Sequence, residues 1–301
     1  MSAETYVIGV ILTILAGVIV NLATIMQKKV INELPKGEEK LMKTLVREPM
    51  WLIGLIIQIG GTGILTIVAQ MLIGPALVPG LLAAGLIVLA LGSVKILNES
   101  LKTSEIIGII ILIIGILFIG LSTLQIDSTD VNALILDIGF NIRIFTYTFI
   151  FIVGFILCNI LRRKFEQYEP ILIAFGSGLL FSVGNLYISP LMAIFTNPID
   201  HPWKIAMIPI FIVLLILLNA IAIIRINVAF TGGKASNLMA IQQVPIQISP
   251  IFVYFVVFAL APPVVFGIPF LSLPFLFVGI VLIIISTFLL GTRQAQMDEI
   301  K

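Results

Sequence analysis

The chain has 301 residues, of which 60% are hydrophobic and only 11% charged, with a mean hydropathy of +1.22. With 17 Lys plus Arg and 15 Asp plus Glu it cannot cover a water-facing shell, so much of its solvent is lipid. A disordered chain, a disulfide scaffold (Cys158 is the single cysteine) and, at a net charge of +2, an electrostatic nucleic-acid binder are excluded.

Apolar runs long enough to cross a bilayer fall at 6–26, 50–70, 74–96, 105–124, 144–161, 170–192, 204–225, 235–260 and 273–291, which predicts nine helices. No basic residue precedes the first run, so it reads as a retained helix rather than a secretory signal. Turn residues separate most runs, among them Pro35-Lys36-Gly37, Gly74-Pro75, Asn98-Glu99-Ser100 and Thr231-Gly232-Gly233. The eighth run carries Pro245 and Pro250, which a membrane helix tolerates as kinks when neighbours satisfy the freed carbonyls. Nine alternating crossings place 15 Lys and Arg on one side and only Arg143 and Lys204 on the other. The rule that basic loops stay inside puts the N-terminus outside and the C-terminus in the cytoplasm of a cell-membrane protein.

An internal repeat is suggested by 108–115 in helix four and 279–286 in helix nine, by Asn21-Leu22 and Asn185-Leu186, and by Trp51 and Trp203. The expected architecture is an all-α integral membrane protein of two inverted four-helix repeats joined by a connector helix. Its parts are 1–124, with a basic loop at 28–49; 125–169, an outer linker, the connector and a turn; 170–291; and a tail at 292–301.

The membrane interior contains amides and hydroxyls on helical faces. Helix eight aligns Ser236, Ala240, Gln243, Gln247, Pro250 and Tyr254, with Gln242 alongside. Helix six offers Ser182, Asn185 and Ser189 with Tyr187 nearby, helix one Asn21, and helix two Gln58. Small and amide residues also serve to pack membrane helices, but three Gln within six residues exceed that need. The candidate substrate-binding set is therefore Asn21, Gln58, Asn185, Tyr187, Gln242, Gln243, Gln247 and Tyr254, with Glu99, Pro75, Pro245 and Pro250 as gate or hinge. Glu99, Glu105 and Glu169 fall at cytoplasmic ends, where a solvated helix terminus accounts for Glu105 and Glu169. Thr231 to Ser236 is similar to a phosphate loop but departs from it at Val228 and Ala235 and reads as a Gly-rich turn. One His and one Cys supply neither a zinc cluster nor a nucleophilic pair, so neither an enzyme nor a cofactor is expected.

Pro75 to Leu101, ending in the Leu97-Asn98-Glu99-Ser100-Leu101 turn, resembles the repeat of the drug/metabolite transporter superfamily, EamA-like type, as do Glu105 to Thr123 and Ala235 to Pro250. Within that superfamily the nine helices and long basic first loop are most similar to NIPA-type magnesium transporters. Those carry Gly-Glu and a following Asn in helix two, where this chain has Thr62-Gly63 and Thr66. Lacking an acid at mid-membrane, the chain is expected to move a small polar solute or metabolite by alternating access. The alternatives are a NIPA-like carrier of Mg²⁺ or another divalent cation through neutral oxygens, and a lipid-handling or scaffold protein that transports nothing. The expected partners are a small-molecule or ion substrate and the bilayer, no nucleic acid, and a homodimer stays open.

Overall fold

A computed structural model describes residues 3–34, 41–73, 77–82, 85–122, 128–197, 199, 201–262, 264–265, 268 and 270–298. The Pro35-Lys36-Gly37 and Gly74-Pro75 turns, and with them the candidate hinge Pro75, lie outside the described residues. Lipid offers no partners to backbone N–H and C=O groups, so the apolar runs close their own hydrogen bonds as helices. In chain order these are α1 (Ala3–Glu33), α2 (Leu41–Leu45), α3 (Pro49–Ile56), α4 (Thr62–Ile73), α5 (Leu77–Leu82), α6 (Gly85–Lys95) and α7 (Thr103–Leu121). There follow α8 (Ser128–Leu134), α9 (Ile138–Lys164), α10 (Glu169–Leu186), α11 (Ile188–Thr196), α12 (Pro202–Phe230), α13 (Ala235–Phe252) and α14 (Ser272–Asp298). Among the described residues seven helical spans are long and apolar enough to cross a membrane, and Gly85–Lys95 and Ser272–Thr287 are shorter apolar helices. In order, they overlap the nine runs of the sequence, the third of which is met by the short α5 and α6 rather than by one long helix.

The helix starts have local causes. Pro49, Pro170 and Pro202 open α3, α10 and α12, where a missing N–H costs nothing. Asp137 caps α9 by accepting from Phe140 N–H at 2.6 Å. Several helices lengthen beyond the sequence reading: α1 runs on to Glu33, α9 covers Ile138–Lys164, α12 runs on to Phe230 and α14 to Asp298, so Lys28 is helical rather than a loop residue and Arg225 no longer ends its helix. The segment expected to be a surface linker instead contains α8, whose Val131, with Ile135 just beyond it, is buried against Ala193 and Ile194 of α11.

Of its most hydrophobic stretch, the α13 span buries 61% and the α9 span 17%. The first is therefore interior and the second faces lipid. α13 packs against α10, α14, α6, α12, α7 and α1. Small residues set the closest approaches. A Cβ at Gly17 would lie 2.3 Å from the Leu82 carbonyl oxygen, and one at Gly178 lies as close to that of Gln242. α7 crosses α14 reciprocally: Gly115 faces Gly279, and Ser286 Oγ donates to the Gly108 carbonyl at 2.6 Å.

Two helix ends share one unusual turn. After α6, Leu97 N–H donates to Gly92 O and Glu99 N–H to Ser93 O around left-handed Asn98 (φ 54°). After α13 and its π-helical continuation Val253–Val257, Phe258 N–H donates to Val253 O and Leu260 N–H to Tyr254 O around left-handed Ala259 (φ 54°).

Basic side chains tie helix ends together in two places. At the basic end Lys28 donates to the Phe230 and Gly233 carbonyls, and Lys234 to that of Ser100. At the other end Arg143 donates to the Val257 carbonyl at 2.8 Å and Lys204 to Asn132 at 3.0 Å.

Candidate functional site

α13 places its three glutamines on two faces. Gln243 and Gln247 are four apart and meet: Gln247 Nε2 donates to Gln243 Oε1 at 3.1 Å, Gln247 being buried and Gln243 half-buried. Gln242 points elsewhere. Its Nε2 donates to Ser177 Oγ at 2.7 Å, and that hydroxyl donates to the Ala222 carbonyl at 2.8 Å, tying α13 to α10 and α12. Pro245 seats against Gly178. Pro250 is half-buried in the next turn.

Gln58 sits in a π-helical turn, Ile57–Gly61, a geometry that re-aims side chains and concentrates at functional sites. Its Oε1 accepts from Gln27 Nε2 at 2.7 Å; Gln27 Oε1 accepts from Asn227 Nδ2 at 3.2 Å; and Asn227 Oδ1 accepts from the Trp51 indole at 3.0 Å. Gln27 and Asn227 were missed in the sequence because the flanking Lys28 and Arg225 appeared to end their spans. The signal was present, since Asn21, Thr24 and Gln27 continue one face at helical spacing.

Asn21 is buried, donates to the Gly17 carbonyl at 2.7 Å and leaves its Oδ1 without a partner. Tyr187 is fully buried, its hydroxyl 2.8 Å from Thr148 Oγ1, so it joins α10 to α9. Tyr254 donates to the Ala261 carbonyl at 2.9 Å at the end opposite the basic one. Asn185, the remaining candidate, is exposed.

The basic end carries the strongest electrostatics. Glu105, expected to be a solvated helix start, is instead buried (1% exposed). It accepts from Lys234 Nζ at 2.9 and 3.0 Å, from Asn237 Nδ2 at 2.7 Å and from Lys102 N–H at 2.7 Å. A carboxylate this far from water persists because every charge-bearing oxygen is compensated. Glu99 accepts from Ala235 N–H at 3.0 Å. Burial pushes its carboxyl above the usual carboxylate range, opposed by that N–H, Lys28, Ser93 and Lys234. Glu169 pairs with Arg162 at 2.9 Å where both meet solvent. Among the described residues no three His, Cys, Asp or Glu side chains converge in a way that could hold a metal ion.

A bundle of apolar helices with amides and hydroxyls inside, and charged groups gathered at its ends, defines a multi-pass integral membrane protein. The family model described as Magnesium transporter NIPA matches residues 4–296, and the chain belongs to that family of transporters, not to an enzyme family. No curated protein and no solved structure matches it.

Proposed function

We propose that the protein carries Mg²⁺ across a cell membrane by alternating access between two inverted halves, 1–124 and 170–291, with its C-terminus in the cytoplasm. The observation that carries this reading is the family membership over nearly the whole chain, which favours the cation over the organic solute. Mg²⁺ releases its water reluctantly and can pass partly hydrated, so neutral oxygens at mid-membrane suffice. Gln243, Gln247 and Gln58 supply them, together with the unpartnered Oδ1 of Asn21.

Three features support the inverted halves. The left-handed turn after α6 recurs, bond for bond, after α13. The Gly17 approach to Leu82 has its counterpart in Gly178 and Gln242. In the α7 to α14 crossing, 108 meets 286 and 115 meets 279, the reciprocal pattern that a two-fold axis produces when 108 is equivalent to 279. The 15 to 2 split of basic residues supports the orientation.

The test is Mg²⁺ flux in proteoliposomes with an internal fluorescent indicator. Wild-type protein should give Mg²⁺-dependent uptake, and Gln243→Ala should lower it while the amount of inserted protein stays the same. Flux of an organic solute with none of Mg²⁺ would overturn the reading, and unchanged uptake in the variant would remove Gln243 from the path.

A further inference from the structure

Lys234 stands immediately before α13, where a helix N-terminus disfavours a cation. Its ammonium is nevertheless held by hard oxygens, both from Glu105 and one from the Ser100 carbonyl. Asn237, fully buried, has its Nδ2 on the same carboxylate and leaves its Oδ1 without a partner. Glu99, whose Oε1 accepts from the residue after Lys234, adds a second carboxylate with a buried Oε2. Carboxylate, carbonyl and amide oxygens are the ligand types that Mg²⁺ and Ca²⁺ take, rather than a softer transition metal.

We propose that Glu105, Ser100 and Asn237, with Glu99 at the rim, form a divalent-cation station at the basic end, and that the Lys234 ammonium is its tethered occupant. The inference rests on the cation reading above. Lys234 and Asn237 come from 170–291, whereas Glu105, Ser100 and Glu99 come from 1–124, so the bonds that fill the station also hold the two parts together. Removing a buried ion-pair partner normally strands the other charge. An arriving dication removes that obstacle by compensating Glu105 as Lys234 withdraws, so binding and opening become one event.

The test uses full-length protein in detergent with Mn²⁺, whose paramagnetic resonance signal reports binding. Lys234→Gln should bind one more Mn²⁺ per chain, about tenfold tighter than wild type, with Mg²⁺ displacing it and added Glu105→Gln abolishing it. Folded Lys234→Gln protein with no extra bound Mn²⁺ overturns the proposal. Should the variant fail to fold, labelling decides. Ser236, buried beside Lys234, is replaced in Ser236→Cys on a Cys158→Ala background. Mg²⁺ should then accelerate alkylation of the new thiol, and a rate indifferent to Mg²⁺ overturns the station. Proteoliposome flux separates the two readings. Lys234-dependent Mn²⁺ binding without Mg²⁺ flux refutes transport alone, and Mg²⁺ flux without such binding refutes the station alone.

Discussion

Gly178→Ala is the smallest change that should disturb the centre of the bundle. The added methyl carbon would lie 2.3 Å from the Gln242 carbonyl oxygen and 2.5 Å from Pro245 Cγ. Neither neighbour is the end of a flexible chain, so α10 and α13 must move apart by roughly 1 Å to reach ordinary contact distance. Overpacking of this kind costs about 1–3 kcal/mol. The separation also stretches the 2.7 Å bond from Gln242 to Ser177, worth about 1 kcal/mol. The total is about 2–4 kcal/mol, offset by up to about 1 kcal/mol because Ala favours a helix over Gly. Gly63 is the control: nothing lies within 4 Å of a Cβ there, so Gly63→Ala should be neutral or stabilising by up to about 1 kcal/mol. Equilibrium unfolding of both variants in mixed micelles measures the difference. Equal stability of Gly178→Ala and Gly63→Ala would refute the argument that backbone contact sets the α10 to α13 distance.

Other outcomes follow from the polar networks. Trp51→Phe keeps the ring but removes the donor to Asn227, leaving a buried amide oxygen unpaired; the same unfolding assay should show a loss of about 1–3 kcal/mol. Ser286→Ala loses the bond to the Gly108 carbonyl and should cost only about 0.6 kcal/mol, whereas Gly115→Leu, in contact with the Gly279 carbonyl, should prevent the helices from meeting and fail to yield a folded monodisperse protein. Because the folded-state pKa of Glu99 is raised, its contribution to stability is present in acid and lost as pH rises through that value. Melting temperatures of wild type relative to Glu99→Gln should therefore fall from acid upward and then level; a difference independent of pH would contradict the burial of this carboxyl.

The helices were legible because a bilayer demands about 20 apolar residues per crossing and this chain supplies them in order. Their ends were not. Lys28 and Arg225 carry charges that usually mark a loop, yet long basic side chains extend a helix by reaching polar partners beyond it, as Lys28 does at the Phe230 and Gly233 carbonyls. Gln27 and Asn227 were lost with those ends. Gln242 and Gln243 looked like one lining, but adjacent residues on a helix lie about 100° apart, and only the packed partners decide that one ties helices while the other is half-exposed. Glu105 is the clearest limit: its partners Lys234 and Asn237 are 129 and 132 residues away, a separation across which no local pattern carries a pairing signal.

The crossing of α7 with α14 bears on how the chain is made. Gly108 and Ser286 are 178 residues apart, and at a synthesis rate of about 5–20 residues per second the second helix emerges roughly 10–35 s after the first. Through that interval the Gly108 and Gly115 face of α7 lacks the α14 surface that covers it in the folded protein. α14 thus completes the packing of α7, and a ribosome that stops before position 272 releases a chain whose α7 lacks its most extensive partner.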